Sequence, residues 1–191
     1  MPVRGVPLLD YWLHSLYALN VGEIIVNTHH LNEEVDSFLS RNAHRDRVRI
    51  LHEVKLLGTA GTIRKVHNID NKEPMIVIHA DNLCICDFQS FVKFHEYQRP
   101  LDCPMTMMTF LTPEPKSCGI VKTDNLGRVK EMYEKVSSPP GNIANAGVYI
   151  LEPEALDWIT KKPNASDITT EVIPNFMGKI ATWQNFKIHR D

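Results

Sequence analysis

Apolar residues recur along this chain at two spacings, and the spacing decides which element each stretch predicts. From Leu8 to Leu19 they fall mostly at the interval of one helix face, with Pro7 suited to the first turn and Asn20-Val21-Gly22 closing it. Glu23 to Asn27 holds the unbroken run Ile24-Ile25-Val26 and predicts a buried strand. A helix is predicted over 31–43, with Asn32 as its cap, then a strand over 48–53 and a helix over 59–67. Met75 to Ala80 predicts a second buried strand that stops at Asp81, and Phe88 to Tyr97 a helix. This alternation is the rhythm of a doubly wound parallel sheet.

The second half reads differently. Strands are predicted over 105–110, 119–123, 128–133 and 146–151, and Asp124-Asn125-Leu126-Gly127 is a hairpin signal between two of them. Short helices follow over 153–159 and 169–177, and final strands over 180–183 and 186–189.

At 191 residues the chain is long enough to bury a core without staples. Hydrophobic residues make up 43% and charged residues 23%, and the formal net charge of −2 gives no global field for nucleic acid or an acidic membrane. No apolar run is long enough to span a bilayer, and residues 1–5 lack the pattern of a signal peptide. The four cysteines are Cys84, Cys86, Cys103 and Cys118; the C-x-C pair is tighter than ordinary zinc spacing, so reduced thiols in a cytoplasmic protein are expected.

Candidate chemistry gathers where predicted strands end. Leu57-Gly58-Thr59-Ala60-Gly61-Thr62 turns from a strand into a helix. Its glycines allow close backbone approach, and a helix start offers N–H groups and a positive dipole end, so the corner suits a nucleotide or is purely structural. Asp81 closes an apolar strand, where a carboxylate can hold a hard cation or cap the next turn. Glu134-Lys135 after another strand suits a polyol and a phosphate, or is a solvated edge pair. Asn145 opens an apolar strand and either reads sugar hydroxyls or satisfies its own loop. Thr28-His29-His30 at another strand end suits metal ligands or a base, but adjacent rings in a strand point apart, which favours a loop role.

These pieces occur in a recognisable order. Pro2 to Leu9, Leu57 to Thr62, His79-Ala80-Asp81, Cys118-Gly119-Ile120-Val121, Glu134-Lys135 and Asn145-Ala146-Gly147-Val148-Tyr149 together resemble the sugar-1-phosphate nucleotidylyltransferases. The Leu-Gly-Thr-Ala-Gly variant is similar to the mannose-1-phosphate and heptose-1-phosphate guanylyltransferase branch. The resemblance implies an α/β, Rossmann-like three-layer fold with a mixed, mostly parallel central sheet. It implies one domain over 1–191, with a nucleotide-binding half over 1–100 and a sugar-binding half over 101–191. Implied roles are Gly58, Thr59, Ala60 and Gly61 along base and ribose, with Glu53 facing guanine donors. Gly119, Glu134 and Asn145 would take the sugar, and Lys135 its phosphate. Asp81 and Asp191 would hold Mg²⁺. The implied reaction joins a nucleotidyl group, from GTP by preference, to a sugar 1-phosphate and releases pyrophosphate. No nucleic-acid or membrane partner is expected, and homo-oligomerisation is left open.

The family also has a first strand feeding a glycine-rich loop with Gly-Thr-Arg, which grips the triphosphate. No Gly-x-Gly-Thr-Arg occurs in these 191 residues. The expectation is therefore an incomplete copy, truncated at both ends and weakly active or inactive. The alternative is a non-catalytic, nucleotide-sugar-binding or regulatory subunit of the same fold. A nicotinamide oxidoreductase would need a Gly-x-Gly-x-x-Gly turn, which is absent from the sequence.

Overall fold

The computed structural model describes residues 2–190 and divides into two compact units, one up to Gly58 and one from Thr59 onward. In the first unit, β1 (Pro2–Val3) and β2 (Val6–Pro7) form a small antiparallel hairpin. Its turn places Arg4 and Gly5 in the left-handed region, at φ 51° and 81°. The hairpin leads into α1 (Leu8–Ala18). A βαβ unit follows: β3 (Ile24–Thr28), α2 (Asn32–Ser40) and β4 (Val48–His52), with β3 and β4 parallel. Leu13, Ile24 and Leu39 are the buried centre of this unit, backed by Leu9, Leu16, Val26 and Phe38. Asn32 was expected to cap α2. Instead Leu31 holds the cap position at φ 52°, with no side-chain cap bond, and Asn32 is the first helical residue.

The second unit takes up α3 (Gly58–Val66), whose first residue lies at the division. Next come β5 (Met75–Ile78), β6 (Leu83–Ile85), α4 (Phe88–Tyr97) and β7 (Met105–Leu111). Then β8 (Gly119–Thr123) and β9 (Val129–Glu134) form a hairpin, followed by the long β10 (Ile143–Leu151) and α5 (Pro153–Thr160). β11 (Ile180–Asn185) and β12 (Ile188–Arg190) complete it. The sheet runs β11-β7-β10-β8-β9, with β5 also on β10, and β6 pairs with β12. Met105, Met107, Tyr149, Leu151, Ile159 and Ile168 are at the heart of its core, each fully buried.

The sheet is mixed, but parallel pairing does not dominate. Only β3–β4 and β7–β11 are parallel among the described pairs, whereas every partner of β10, β8–β9 and β6–β12 are antiparallel. The reason lies in the connections. Parallel neighbours need a long crossover, while a tight hairpin forces antiparallel pairing. The Asp124–Gly127 turn is such a hairpin: the Gly127 N–H donates to the Asp124 carbonyl at 3.0 Å, with Gly127 at φ 72°.

Candidate functional site

β10 builds the site. One of its edges pairs with β7; the other pairs with β8 through Ala144↔Ile120 and with β5 from Val148↔Ile78 to Leu151↔Met75. Between those two partners the register against β7 shifts, from Asn145 to Tyr149, and Gly147 takes a left-handed φ of 66°. The exit of β5 and the entry of β8 therefore point at the same short stretch of β10. A cavity of about 300 Å³ opens at that fork. Asp81, Gly119, Glu134, Lys135 and Asn145, each singled out from the sequence, all line it, and so does His79.

Each position has a local cause. Asp81 is exposed in the turn that joins β5 to β6. Glu134 ends β9 and pairs with Gly119. A Cβ on Gly119 would meet the Glu134 Oε2 at 2.6 Å and the Met132 Cε at 2.8 Å, so only glycine leaves that carboxylate where it is. Lys135 sits at φ 48°, a strained backbone for a side-chain-bearing residue, and its N–H donates to the Cys118 carbonyl at 3.3 Å.

Asn145 stitches the irregular part of β10. Its Oδ1 accepts from the Gly147 N–H at 3.0 Å and its Nδ2 donates to the Tyr149 hydroxyl at 2.6 Å. An amide has four hydrogen-bonding positions, so one donor and one acceptor position stay open for a ligand. Burial pushes the Tyr149 phenol up to about 12, so it stays protonated at neutral pH.

Sequence reasoning missed His79, Tyr149 and Thr169. His79 packs edge-on to Tyr149 with ring centroids 6.0 Å apart, and its backbone N–H donates to the Gly147 carbonyl at 2.9 Å. A Cβ on Gly147 would press on the His79 Nδ1 at 3.0 Å. The signal for His79 was its place two residues before Asp81 at a strand end. Tyr149 closes the motif that begins at Asn145, without a role read for it, and nothing in the sequence marks Thr169 as a neighbour of the cavity.

The glycine corner makes several contacts within the fold. Gly58 does need its left-handed φ of 74°. The Thr59 Oγ1 accepts from the Ile168 N–H at 2.8 Å and approaches the Asp167 Oδ2 at 3.5 Å. Ala60 and Gly61, expected along base and ribose, are buried, and the Ala60 N–H donates to the Ser166 carbonyl at 2.9 Å. That amide is committed within the fold because α3 packs its first turn against the 166–168 segment. Thr169, the next residue of that segment, lines the cavity.

Glu53, expected to face guanine donors, is 1% exposed, and its Oε2 accepts from the Leu57 N–H at 3.1 Å. It braces the turn into Gly58 rather than presenting a free carboxylate. His29 belongs to the same brace, donating from Nδ1 to the Glu53 carbonyl at 2.6 Å, in keeping with a loop role for that histidine pair.

Among the described residues, no three His, Cys, Asp or Glu side chains stand close enough to hold a metal ion between them. Asp191, expected as the second metal carboxylate, lies outside the described residues. Asp81 and Glu134 are both exposed carboxylates opening on the cavity, and Asp81, in the turn after β5, is a hard oxygen donor. That fits a cation such as Mg²⁺, which takes few protein ligands and fills its shell with water and phosphate oxygens. No helix among the described residues is long and apolar enough to cross a membrane.

Comparison with known proteins follows the same lines. The family model described as nucleotidyl transferase matches residues 1–187. The chain belongs to this family. The catalytic subunit beta of mannose-1-phosphate guanylyltransferase from Drosophila melanogaster is 30% identical over 172 residues, covering 88% of this chain and 45% of that protein. A UTP–glucose-1-phosphate uridylyltransferase from Synechocystis is 28% identical over 176 residues, covering 83% of this chain and 44% of that protein. The chain thus spans less than half the length of these curated relatives. The crystal structure of HddC from Yersinia pseudotuberculosis complexed with GMP-PN superposes with a TM-score of 0.82 at 22% identity, covering all of this chain and 82% of that one. The family's mixed α/β, Rossmann-like fold is therefore the fold of this chain.

Proposed function

We propose that this chain carries the transfer of a nucleotidyl group from a nucleoside triphosphate, GTP by preference, to a sugar 1-phosphate, giving a nucleotide-diphosphate sugar and pyrophosphate. The observation that carries the reading is the convergence of Asp81, Gly119, Glu134, Lys135 and Asn145 on one cavity, from widely separated stretches of sequence. Sugar hydroxyls need acceptors and donors on a fixed frame. The Glu134 carboxylate supplies acceptors, the open positions of the Asn145 amide one of each, and the Gly119 backbone a close flat approach. The Lys135 ammonium faces the sugar phosphate, and its charge offsets that of the phosphate as the nucleophile approaches.

In the reaction, the sugar-phosphate oxygen attacks the α-phosphorus of the triphosphate and pyrophosphate leaves in line. Such chemistry needs alignment and charge neutralisation more than a covalent nucleophile. Asp81 would hold Mg²⁺, which supplies charge neutralisation at phosphate oxygens when bound. The preference for GTP rests on the Leu57–Gly61 variant and on the names of the guanylyltransferase relatives. Residues 1–100 would then serve the nucleotide and 101–191 the sugar.

The test is pyrophosphate release by the 191-residue chain, with Mg²⁺, each of the four nucleoside triphosphates and a panel of sugar 1-phosphates, alongside calorimetric titration with GDP-sugars. Release with GTP above the other triphosphates supports the proposal in full. Binding of a GDP-sugar without release replaces it with a binding or regulatory role. Neither binding nor release would overturn it.

A further inference from the structure

Asn145 and Tyr149 are four residues apart on β10, yet their side chains touch. In a regular strand that separation is about 13 Å, and side chains standing upright from the sheet do not bridge it. Here the register against β7 slips between the two residues, and Gly147, midway, takes a left-handed φ of 66°. The stretch is thereby shortened, and the Asn145 Nδ2 donates to the Tyr149 hydroxyl at 2.6 Å. The two partners are held differently. Asn145 is half-buried, faces the cavity and lies opposite Thr109 on β7. Tyr149 is fully buried, flanked by Val77 on β5 and Met107 on β7, with His79 edge-on to its ring. The phenol is therefore a fixed point and the amide the movable one.

We propose that Tyr149 is a positioning residue for sugar recognition: its buried hydroxyl sets the direction in which Asn145 offers its remaining N–H and its remaining lone pair to the hydroxyls of a nucleotide-linked sugar. This rests on the sugar-transfer reading of the cavity, in which Asn145 touches the sugar. Fully buried, Tyr149 touches no ligand and acts on the sugar through Asn145.

The division of labour follows from the contacts of the amide. The bond from the Gly147 N–H to Oδ1, at 3.0 Å, decides which end of the amide is oxygen. Alone it would leave the amide plane free to swing about that one contact. The phenol supplies a second point and fixes the tilt. Because burial keeps the phenol protonated, the pair is neutral and no charge is trapped beneath the site. An amide whose tilt is set before binding loses little freedom when the sugar arrives, so the phenol contributes affinity for the sugar and none for the nucleotide.

The test measures dissociation constants of GDP-mannose against GDP, and of UDP-glucose against UDP, by calorimetric titration of the 191-residue chain. Within each pair the ligands differ by the sugar, so their ratio isolates it. Tyr149→Phe should weaken the nucleotide sugar about fivefold, the size of one lost neutral hydrogen bond, and leave the bare nucleotide within about twofold of wild type. Asn145→Ala should weaken the nucleotide sugar about tenfold, and adding Tyr149→Phe to it should change nothing further, because the phenol then has no amide to hold. A wild-type chain that binds none of the four ligands overturns the sugar-transfer reading, and this inference with it. A wild-type chain that binds them, beside a Tyr149→Phe variant with the same ratio, overturns the inference alone. Equal weakening of nucleotide sugar and nucleotide does so too, since a general loss of fold moves both. Should Tyr149→Phe not fold, hydrogen exchange by NMR in the wild-type chain decides. The Asn145 side-chain amide is expected to exchange about tenfold or more slower than that of the exposed Asn125, and equal rates overturn the proposal.

Discussion

Gly119 and Glu134 face one another across the β8–β9 ladder, and the missing Cβ of the first fixes the place of the second. Gly119→Ala should therefore re-aim the carboxylate without opening the core. The expected outcome is a rise of roughly tenfold in KM for the sugar phosphate, the equivalent of one misplaced hydrogen bond, with the melting temperature nearly unchanged. Steady-state kinetics and a thermal melt check the two halves of that statement. Asp81 is exposed in the turn after β5 and its side chain bonds to none of the described residues, so Asp81→Asn should cut turnover by about 100-fold or more and leave stability alone. Full activity in that variant would remove the metal assignment. Gly147 is the opposite case. It needs φ 66° and has His79 at contact distance, so Gly147→Ala should destabilise the protein by about 1–2 kcal/mol or more, read by urea denaturation. The strand-end acids and Asn145 were legible because chemistry-bearing residues next to apolar runs stand out in a sequence. His79 and Tyr149 were not, because their meeting depends on β5 and β10 being paired.

At the scale of elements, most helices and strands follow the apolar period, and the departures have local causes. The helix expected over 169–177 is instead a π-helical turn, Ile168–Val172, continued by a 3₁₀ turn, Ile173–Phe176. Pro174 has no N–H to give to an α-helix, and Asp167 caps the segment by accepting from the Thr170 N–H at 2.8 Å. β6 was not anticipated, since its three residues carry no readable period and exist through β12. α4 carries a buried polar link: His95 hydrogen-bonds Thr106 on β7 through Nδ1 at 2.7 Å and Glu152 through Nε2 at 2.9 Å. Burial chiefly, with the nearby Arg99 charge, holds the His95 pKa below its usual value. The unfolded chain therefore takes up the proton first as pH falls, and stability rises with pH across this window. The contribution is fully present above the ordinary histidine pKa of about 6.5 and is lost as pH drops from there toward the folded value. Melting temperatures taken between neutral and mildly acidic pH should fall more steeply for the native chain than for His95→Gln.

For the whole molecule, the consequential feature is that one edge of β10 serves two partners in succession. A ligand seated in the fork would touch groups from the β5–β6 turn, β8, β9 and β10 at once, and so resist unfolding of the sheet that presents them. Linkage then gives a stabilisation of about 2.7 kcal/mol at a nucleotide-sugar concentration of 100 times Kd. The melting temperature should climb with ligand concentration, and Glu134→Ala should blunt that climb while leaving the ligand-free melt close to native. An equal climb in the variant would separate the ligand from this cavity.

By itself the sequence determined the order of most elements, the alternation of strands with helices in the first half, and which strand ends carry acids, bases and amides; the strands expected to be buried there are largely half-buried. These are properties of neighbouring residues, set by side-chain period and by glycine and proline, and they need no distant partner. Only the tertiary structure decided that antiparallel pairing prevails around β10, that the glycine corner is braced from within, and that five dispersed residues share one hollow. The reason is that strand pairing joins segments far apart along the chain. Which edge meets which is fixed by the packing of the entire core rather than by any stretch of residues taken alone.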